Sequence, residues 1–450
     1  MIRLIYNLLW PVGLLVFLPG YLAKMFRRGG YRRNFGQRLG FYSAESRERL
    51  RGKHPTWIHA VSVGEIVIAL KLADELRALR PEQKCVLTTT TTTGHAFAEK
   101  TTPEWMQVLY APLDFWPVMR RAFRAIAPQR IILIEAEVWP NLVAEARKRE
   151  IPVVLANARL SPRSERRFRR FRFFVTPTFR QLDLVCVPST EDAERWKDLG
   201  AKPAGIHAVG NIKYDASIPR HSSGEVQQLI KTAIETTRPI LFGGSTHRGE
   251  ERVLIDVFCA LQFEFPNLFL VLAPRHVERA GEIEADLRRR NLRSIRRSAA
   301  SKSAIEWPDC LLIDTTGELR EWYNIATIVF IGKSLTAHGG QNPVEAISAR
   351  KPVIFGLHME NFASLAKGLI EAGGAVCVQN SQELIEESRR LLRDATARGQ
   401  LVTKALHVIQ PHREAAARTA ALIEKISRSG LSAASPSQTG RVETLKSHPR

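Results

Sequence analysis

The sequence predicts two α/β units, each a parallel sheet with crossover helices, behind an apolar N-terminal segment. Three observations carry this reading. Short apolar runs of strand type alternate with longer amphipathic stretches along most of the chain. The alternation stops over residues 211–238 and restarts at Pro239. The length, 450 residues, is too great for one ordinary domain and suits two.

From Leu4 to Ala23 there is no charged residue, and Lys24, Arg27, Arg28, Arg32 and Arg33 follow directly. Twenty helical residues span about 30 Å, the thickness of a bilayer core. Basic residues after such a segment favour keeping the following chain in the cytoplasm. No small-x-small cleavage site follows the apolar run, which argues against a cleaved leader. Pro11 and Pro19 weaken a straight helix. The expectation is a membrane anchor over residues 1–24, spanning or shallow.

The first α/β unit is expected over residues 25–215. Its strands read at Thr56–Ser62, Lys84–Thr90, Ile131–Glu135, Pro152–Asn157 and Leu184–Pro188, with helical spacing at Glu65–Leu79 and Trp139–Arg149. The second is expected over residues 216–426. Its strands read at Ile240–Gly243, Leu268–Ala273, Leu311–Asp314, Ile328–Gly332, Pro352–Phe355 and Ala375–Val378. Residues 427–450, rich in Ser, Lys and Arg, read as a disordered tail.

With 44% hydrophobic and 25% charged residues, the composition is that of a folded globular protein. A net charge of +21 excludes an acidic solvating protein. The excess is local. Residues 1–40 hold seven Lys/Arg and no acid, and residues 159–180 hold eight Arg against Glu165 alone. Such patches meet something anionic, whether nucleic acid, phosphorylated lipid or a membrane face. The five cysteines, Cys85, Cys186, Cys259, Cys310 and Cys377, are scattered and never spaced C-x-x-C. That argues against a disulfide framework and a clustered-cysteine zinc site.

Doubly wound sheets bind ligands where strand C-termini meet helix N-termini, so the residues there are the candidates. Ser62-Val63-Gly64-Glu65 places Glu65 in a first helical turn, where it either complements the helix dipole or acts as a general base. The run Thr88–Thr93 can cap the next helix or meet a sugar. Glu135 and Glu137, with Trp139-Pro140-Asn141, follow an apolar strand. If buried they need a ligand or an Arg partner, and the alternative is an exposed loop. Arg159 leads into Arg163–Arg172 interleaved with Phe168, Phe171, Phe173 and Phe174. That mixture suits base stacking or an anionic membrane, and the anchor favours the membrane. In the second half, Gly243-Gly244-Ser245-Thr246-His247 would let backbone N–H groups approach a phosphate, although it is not a Walker A motif. Arg275 and His276 suit a carboxylate or phosphate. Gly339-Gly340-Gln341-Asn342-Pro343-Val344-Glu345 places Glu345 in a first turn, where a carboxylate can take two ribose hydroxyls.

Taken together, SVGE (62–65), the E-x-E-x-W-P-N block (135–141), NARLS (157–161), VGN-x-K-x-D (209–215), GGSTH (243–247), APRH (273–276), DT-x-GEL (314–319) and GGxNPxE (339–345) resemble the 3-deoxy-D-manno-octulosonic acid (Kdo) transferases of lipopolysaccharide assembly. The likeness runs in order from about residue 1 to 425. It implies a GT-B fold, two Rossmann-like domains facing across a cleft, and inverting transfer of Kdo from CMP-Kdo to the phosphorylated lipid A precursor. It places the reaction at the cytoplasmic face of the inner membrane. It assigns Glu65 as general base and puts Glu135, Glu137 and Arg159 on the acceptor side. It puts Ser245, Arg275, His276, Gly340, Asn342 and Glu345 around CMP-Kdo. Ala136 departs from the Thr often found there in the family. No D-x-D motif and no His/Asp ligand cluster stands in the sequence, so neither metal nor cofactor is expected. A glycosyltransferase of the same fold with another donor is the alternative. A basic nucleic-acid-binding protein would explain the charge, but neither the anchor nor the paired loops, so no nucleic acid is expected as a partner.

Overall fold

In the first unit the strands are short and the central ones wholly buried, because crossover helices cover both faces of a parallel sheet. They are β1 (Thr56–His59), β2 (Cys85–Thr89), β3 (Met106–Tyr110), β4 (Arg130–Ile134), β5 (Val153–Ala156), β6 (Leu184–Val187) and β7 (Ile206–Ala208). All pairings are parallel, in the order β3-β2-β1-β4-β5-β6-β7. The computed structural model describes residues 3–10, 34–215, 226–230, 238–300 and 308–432, together with residues 13, 15 and 20.

The second unit repeats the plan. Its strands are β8 (Ile240–Thr246), β9 (Phe269–Pro274), β10 (Ser294–Arg296), β11 (Cys310–Leu312), β12 (Ile328–Ile331), β13 (Val353–Gly356) and β14 (Val376–Val378), in the order β10-β11-β9-β8-β12-β13-β14. The chain order reverses between β1 and β4 in the first sheet and between β8 and β12 in the second. Loops leaving those strands diverge there and open a crevice.

β3, β7 and β10 stand where no strand was expected. β7 and β10 are three-residue strands without a fully buried position, and Gln107 interrupts β3. Edge and near-edge strands carry too few apolar side chains to make a run.

The boundary between the units falls at Lys213/Tyr214, and residues from Glu414 onward belong to the first unit. This corrects the expected second domain of 216–426. Helix Ala415–Ser432 packs against helix Val63–Leu79, with Ala415, Ala416, Ala420 and Ile423 buried among strand residues Ile132, Ile134 and Val154. Arg418 Nη2 donates to the Val209 carbonyl at 2.8 Å. Small residues let the helix approach closely, and that packing outweighs its place in the chain. The expected tail at 427–450 begins inside this helix, and from residue 433 it lies outside the described residues.

Most of the expected anchor lies outside the described residues. Residues 3–10 are helical, and among the described residues no helix is long and apolar enough to cross a membrane. Asn7 and Asn141 exchange amide hydrogen bonds at 2.9 Å, Arg3 Nε donates to Asn141 Oδ1, and Trp10 packs 5.7 Å from Phe115. Leu4 and Leu8 point outward, at 74% and 72% exposure.

Asn141 is held in turn by buried Asp114, whose carboxylate accepts from Asn141 N (3.0 Å) and Leu142 N (2.8 Å). Helix Pro140–Lys148 lacks a capping side chain of its own, so Asp114 serves as its cap from a distant loop. Asp114→Ala should therefore cost roughly 2 kcal/mol, read as a lower denaturant midpoint with unchanged slope.

Candidate active site

At the switch point of the first unit, the loops after β1, β4 and β5 and the segment after β7 collect charged side chains. Glu65 enters from the first turn of helix Val63–Leu79. It is almost fully buried and closes a capping box. Its Oε2 accepts from Val61 N (2.9 Å), its Oε1 accepts from Ser62 Oγ (2.8 Å) and Ser62 N (3.3 Å), and Ser62 Oγ accepts from Glu65 N. Three of about four lone-pair directions are thus used, and one remains. Both readings of Glu65 stay compatible with this geometry: the cap is real, and the carboxylate keeps acceptor capacity.

Glu135 takes a left-handed backbone (φ 60°) at the end of β4, and the chain turns sharply into Glu137. Neither acid sits on an exposed loop; both are half-buried. Burial raises Glu135 above the usual carboxylate range, Glu65 repels it further, and Arg159 and Lys213 partly compensate. Glu137 is pushed up to about 7, by burial first and then by repulsion from Glu65 and Glu135, against attraction from Arg167. Burial also lowers Lys213, as does Arg159, while Glu135 opposes the shift. The result is a mixed cluster of three acids with Arg159 and Lys213 at the sheet's C-terminal edge. Lys213 lies inside the quoted VGN-x-K-x-D motif but was not among the candidate site residues.

Other motif residues turn out to be spent on structure. Asn157 (φ 52°) accepts from Ile212 N, joining β5 to the segment after β7. Thr88 Oγ1 accepts from Trp57 Nε1, Thr89 and Thr91 donate to the Val61 carbonyl, and Thr91 caps helix Thr92–Thr101. Of the two readings of the threonine run, capping describes these residues. Ser161 caps helix Pro162–Arg170, which with Arg172–Phe179 carries the arginine-rich stretch. Phe171, Phe173 and Phe174 are exposed, Phe173 at 63%. A groove of about 250 Å³ beside them is lined by Tyr6, Val138, Phe168, Phe174, Val175 and Phe179.

In the second unit the switch-point loops bring together residues following β8 and β12. Gly243 and Gly244 lie within β8, at its C-terminal end. A Cβ at Gly244 would stand 2.3 Å from Tyr323 Oη, and one at Gly243 2.5 Å from Leu254 Cδ1, so packing demands both glycines. Ser245 follows with φ 52° at an irregularity of the β8–β9 ladder, and its carbonyl faces His247 Nδ1 at 3.2 Å. Arg275 and His276 lie exposed beyond β9, the His276 ring 5.6 Å from that of His247. Gly340 (φ 70°) is buried, and a Cβ there would meet Met359 sulfur at 2.5 Å. Asn342 Oδ1 accepts from Val344 N, and Glu345 sits in the first turn of helix Val344–Ser348. Arg320, lowered by burial, is drawn back up by Glu345 and Asp215.

The organiser of these loops escaped the sequence reading. Glu250 is fully buried, and its carboxylate accepts from the backbone N–H groups of His247 (2.8 Å), Lys333 (2.7 Å), Ser334 (2.9 Å) and Leu335 (3.1 Å). It ties the β8 loop to the β12 loop. Glu318, of the DT-x-GEL motif, accepts from Arg297, Thr315 and Trp322. The sequence showed no metal-ligand cluster, yet the fold gathers His338, His358 and Glu360 from two loops.

Two Rossmann-type units, each with charged or polar loop residues at its switch point, define a GT-B-like class of protein. A solved UDP-N-acetylglucosamine 2-epimerase shares that fold, with a TM-score of 0.50 at 14% identity over 88% of this chain and 100% of the other. The profile described as "3-Deoxy-D-manno-octulosonic-acid transferase (kdotransferase)" matches residues 33–216. The 3-deoxy-D-manno-octulosonic acid transferase of Haemophilus influenzae is 33% identical over 395 residues, covering 88% of this chain and 91% of the relative. That of Bordetella pertussis is 33% identical over 378 residues, covering 82% and 87%. The chain belongs to the 3-deoxy-D-manno-octulosonic acid transferase family and is a glycosyltransferase.

Proposed function

We propose that this protein transfers Kdo from CMP-Kdo to a hydroxyl of the phosphorylated lipid A precursor, with inversion and release of CMP, in lipopolysaccharide biosynthesis. The observation that carries the reading, beside family membership, is the acid cluster of the first unit, where Glu65, Glu135 and Glu137 interact electrostatically with one another and Glu135 with Arg159 and Lys213.

In the proposed step the acceptor oxygen attacks the anomeric carbon of Kdo from the face opposite the leaving group. The bond from that carbon to the phosphate oxygen breaks, its electron pair leaves with CMP, and the acceptor proton passes to Glu65. One displacement inverts the centre. Arg275 and His276 meet the phosphate or the Kdo carboxylate; Ser245, Gly340, Asn342 and Glu345 hold the nucleotide, Glu345 at the ribose. Fixed cationic and N–H donors stabilise the charge growing on the leaving phosphate.

Glu137 is assigned to the acceptor side as a neutral acid. Its proton removes the repulsion that an ionised Glu137 would add to Glu65 and Glu135. Glu137→Gln imitates that state, so transfer at pH 7 should stay within about tenfold of wild type. Ionising Glu137 costs more in the folded chain than in the unfolded one. Native stability is therefore complete below about pH 4.5 and erodes as pH rises through about 7. Glu137→Gln should accordingly raise stability at pH 8, by roughly 2 kcal/mol after discounting for partial exposure, and change it little at pH 4. Urea titrations at the two pH values test this, and an equal effect at both would defeat it.

We place the enzyme on the cytoplasmic face of the inner membrane. Outward-facing Leu4 and Leu8, exposed Phe171, Phe173 and Phe174 and the surrounding arginines supply apolar and basic surface for an anionic bilayer and for the acceptor's phosphates. The decisive experiment incubates the full chain with CMP-Kdo and tetraacyl lipid A precursor and weighs the products. A mass increase of one or more Kdo units supports the reading. Transfer from a UDP-sugar alone replaces the donor.

A further inference from the structure

We propose that His338, His358 and Glu360 form a binding site for a divalent first-row transition-metal ion, with Zn²⁺ as the best fit. The site would fasten the Gly339–Gly340 turn to the loop at 358–361. It stands on the second unit's own geometry and does not depend on which sugar is transferred.

The spacing is the first argument. His338 Nδ1 and His358 Nδ1 each stand 3.4 Å from the same oxygen, Glu360 Oε1, and all three ligand atoms fall within 4.8 Å of one another. At 3.4 Å these are poor hydrogen bonds, whose usual N···O distance is about 2.7–3.2 Å. Two ligand atoms bound about 2.0–2.1 Å from one tetrahedral ion, however, are separated by about 3.4 Å. The imidazole rings lie 3.8 Å apart by centroid and inclined at 47°, so the two side chains share one small volume.

Orientation is the second argument. Metal-bound carboxylates and imidazoles are normally aimed by a further layer of hydrogen bonds. Here Glu360 Oε2 accepts from Gly339 N at 2.6 Å, which aims Oε1 at the two rings. Asn361 N donates to the Gly339 carbonyl at 2.8 Å, and His358 N donates to the Ser334 carbonyl at 2.9 Å. The ligand-bearing backbone is therefore held before any ion arrives.

Ligand chemistry narrows the ion. Two imidazoles and one carboxylate suit Zn²⁺, Co²⁺, Ni²⁺ or Cu²⁺, whereas Mg²⁺ and Ca²⁺ call for oxygen ligands. His338 and Glu360 are exposed and His358 is half-buried, so water can fill the fourth position. An ion there would restrain the turn that leads to Asn342 and Glu345.

The test uses the full chain, freed of metal with a chelator. Calorimetric titration with Zn²⁺ should show one saturable site, and Co²⁺ should give the visible absorption of a four-coordinate nitrogen and oxygen site. His338→Ala, His358→Ala and Glu360→Gln should each weaken Zn²⁺ binding at least tenfold, with metal-free melting temperatures unchanged. Zn²⁺ should slow amide exchange at Gly339 and Gly340 in the wild-type chain but not in Glu360→Gln. His276→Ala should leave the affinity unchanged, which separates this site from the His247–His276 pair. Lack of saturable binding, full affinity in the His338 and His358 variants, or loss of binding in His276→Ala would each overturn the proposal.

Discussion

Glu65→Gln should lower the rate of Kdo transfer by about 10²–10⁴-fold, the usual worth of a positioned general base. Gln is the informative substitution because of what Glu65 also does for the fold. Its carboxylate caps helix Val63–Leu79 through Val61 N and both the N–H and hydroxyl of Ser62. An Ala variant would remove the cap and the base at once. Gln keeps one carbonyl oxygen for the cap and should cost only about 0.5–2 kcal/mol of stability. The measurement is product formation per folded molecule, with folding followed by circular dichroism and thermal melting. If Glu65 serves only as a cap, Glu65→Gln melts earlier yet transfers at nearly the wild-type rate. Should Glu137→Gln prove inactive while Glu65→Gln survives, the proton acceptor is Glu137, whose carboxyl burial pushes up to about 7.

Glu424→Ala should destabilise the first unit by about 3–5 kcal/mol. Arg130 on β4 is 1% exposed, and its guanidinium donates to Thr56 Oγ1 (2.8 Å), Gln83 Oε1 (2.8 Å) and Glu424 Oε1 (2.5 Å). Arg80 pairs with the other carboxylate oxygen of Glu424. Removing Glu424 takes from the buried Arg130 guanidinium the carboxylate it donates to, and that lost compensation of a buried charge is the main cost. Glu424→Gln, which keeps an acceptor, should cost less. Replacing Arg130 by Met together with Glu424 by Leu should recover much of the loss, because the pair stabilises chiefly by being complete. Denaturant unfolding of all three variants reads the differences. A near-neutral Glu424→Ala would mean that helix Ala415–Ser432 does not hold the first unit together as its burial requires.

The two predictions differ in how far the sequence foresaw them. Glu65 stood out because a strand, a tight turn and a helix start are all local, and so was its double role. The central strands were legible for a similar reason: Ile131–Ile134 is an unbroken buried apolar run. β7 and β10 were not, because edge strands need no such run. Glu424 was not among the candidates read from the sequence. Its partner Arg130 is 294 residues away, and no local pattern connects them. Glu250 was equally silent, since four backbone donors from two loops leave no trace in residue types.

By itself, the sequence determined the two α/β units, the loops that carry chemistry and the family, because periodicity, turn residues and motif order are properties of neighbouring positions. Only the tertiary structure decided that the last helix serves the first unit, that Gly243 and Gly244 are packing residues, and that burial and repulsion push the Glu137 carboxyl upward. Those outcomes depend on which distant groups share a small volume out of water, where burial and repulsion act on side chains that the chain order keeps far apart.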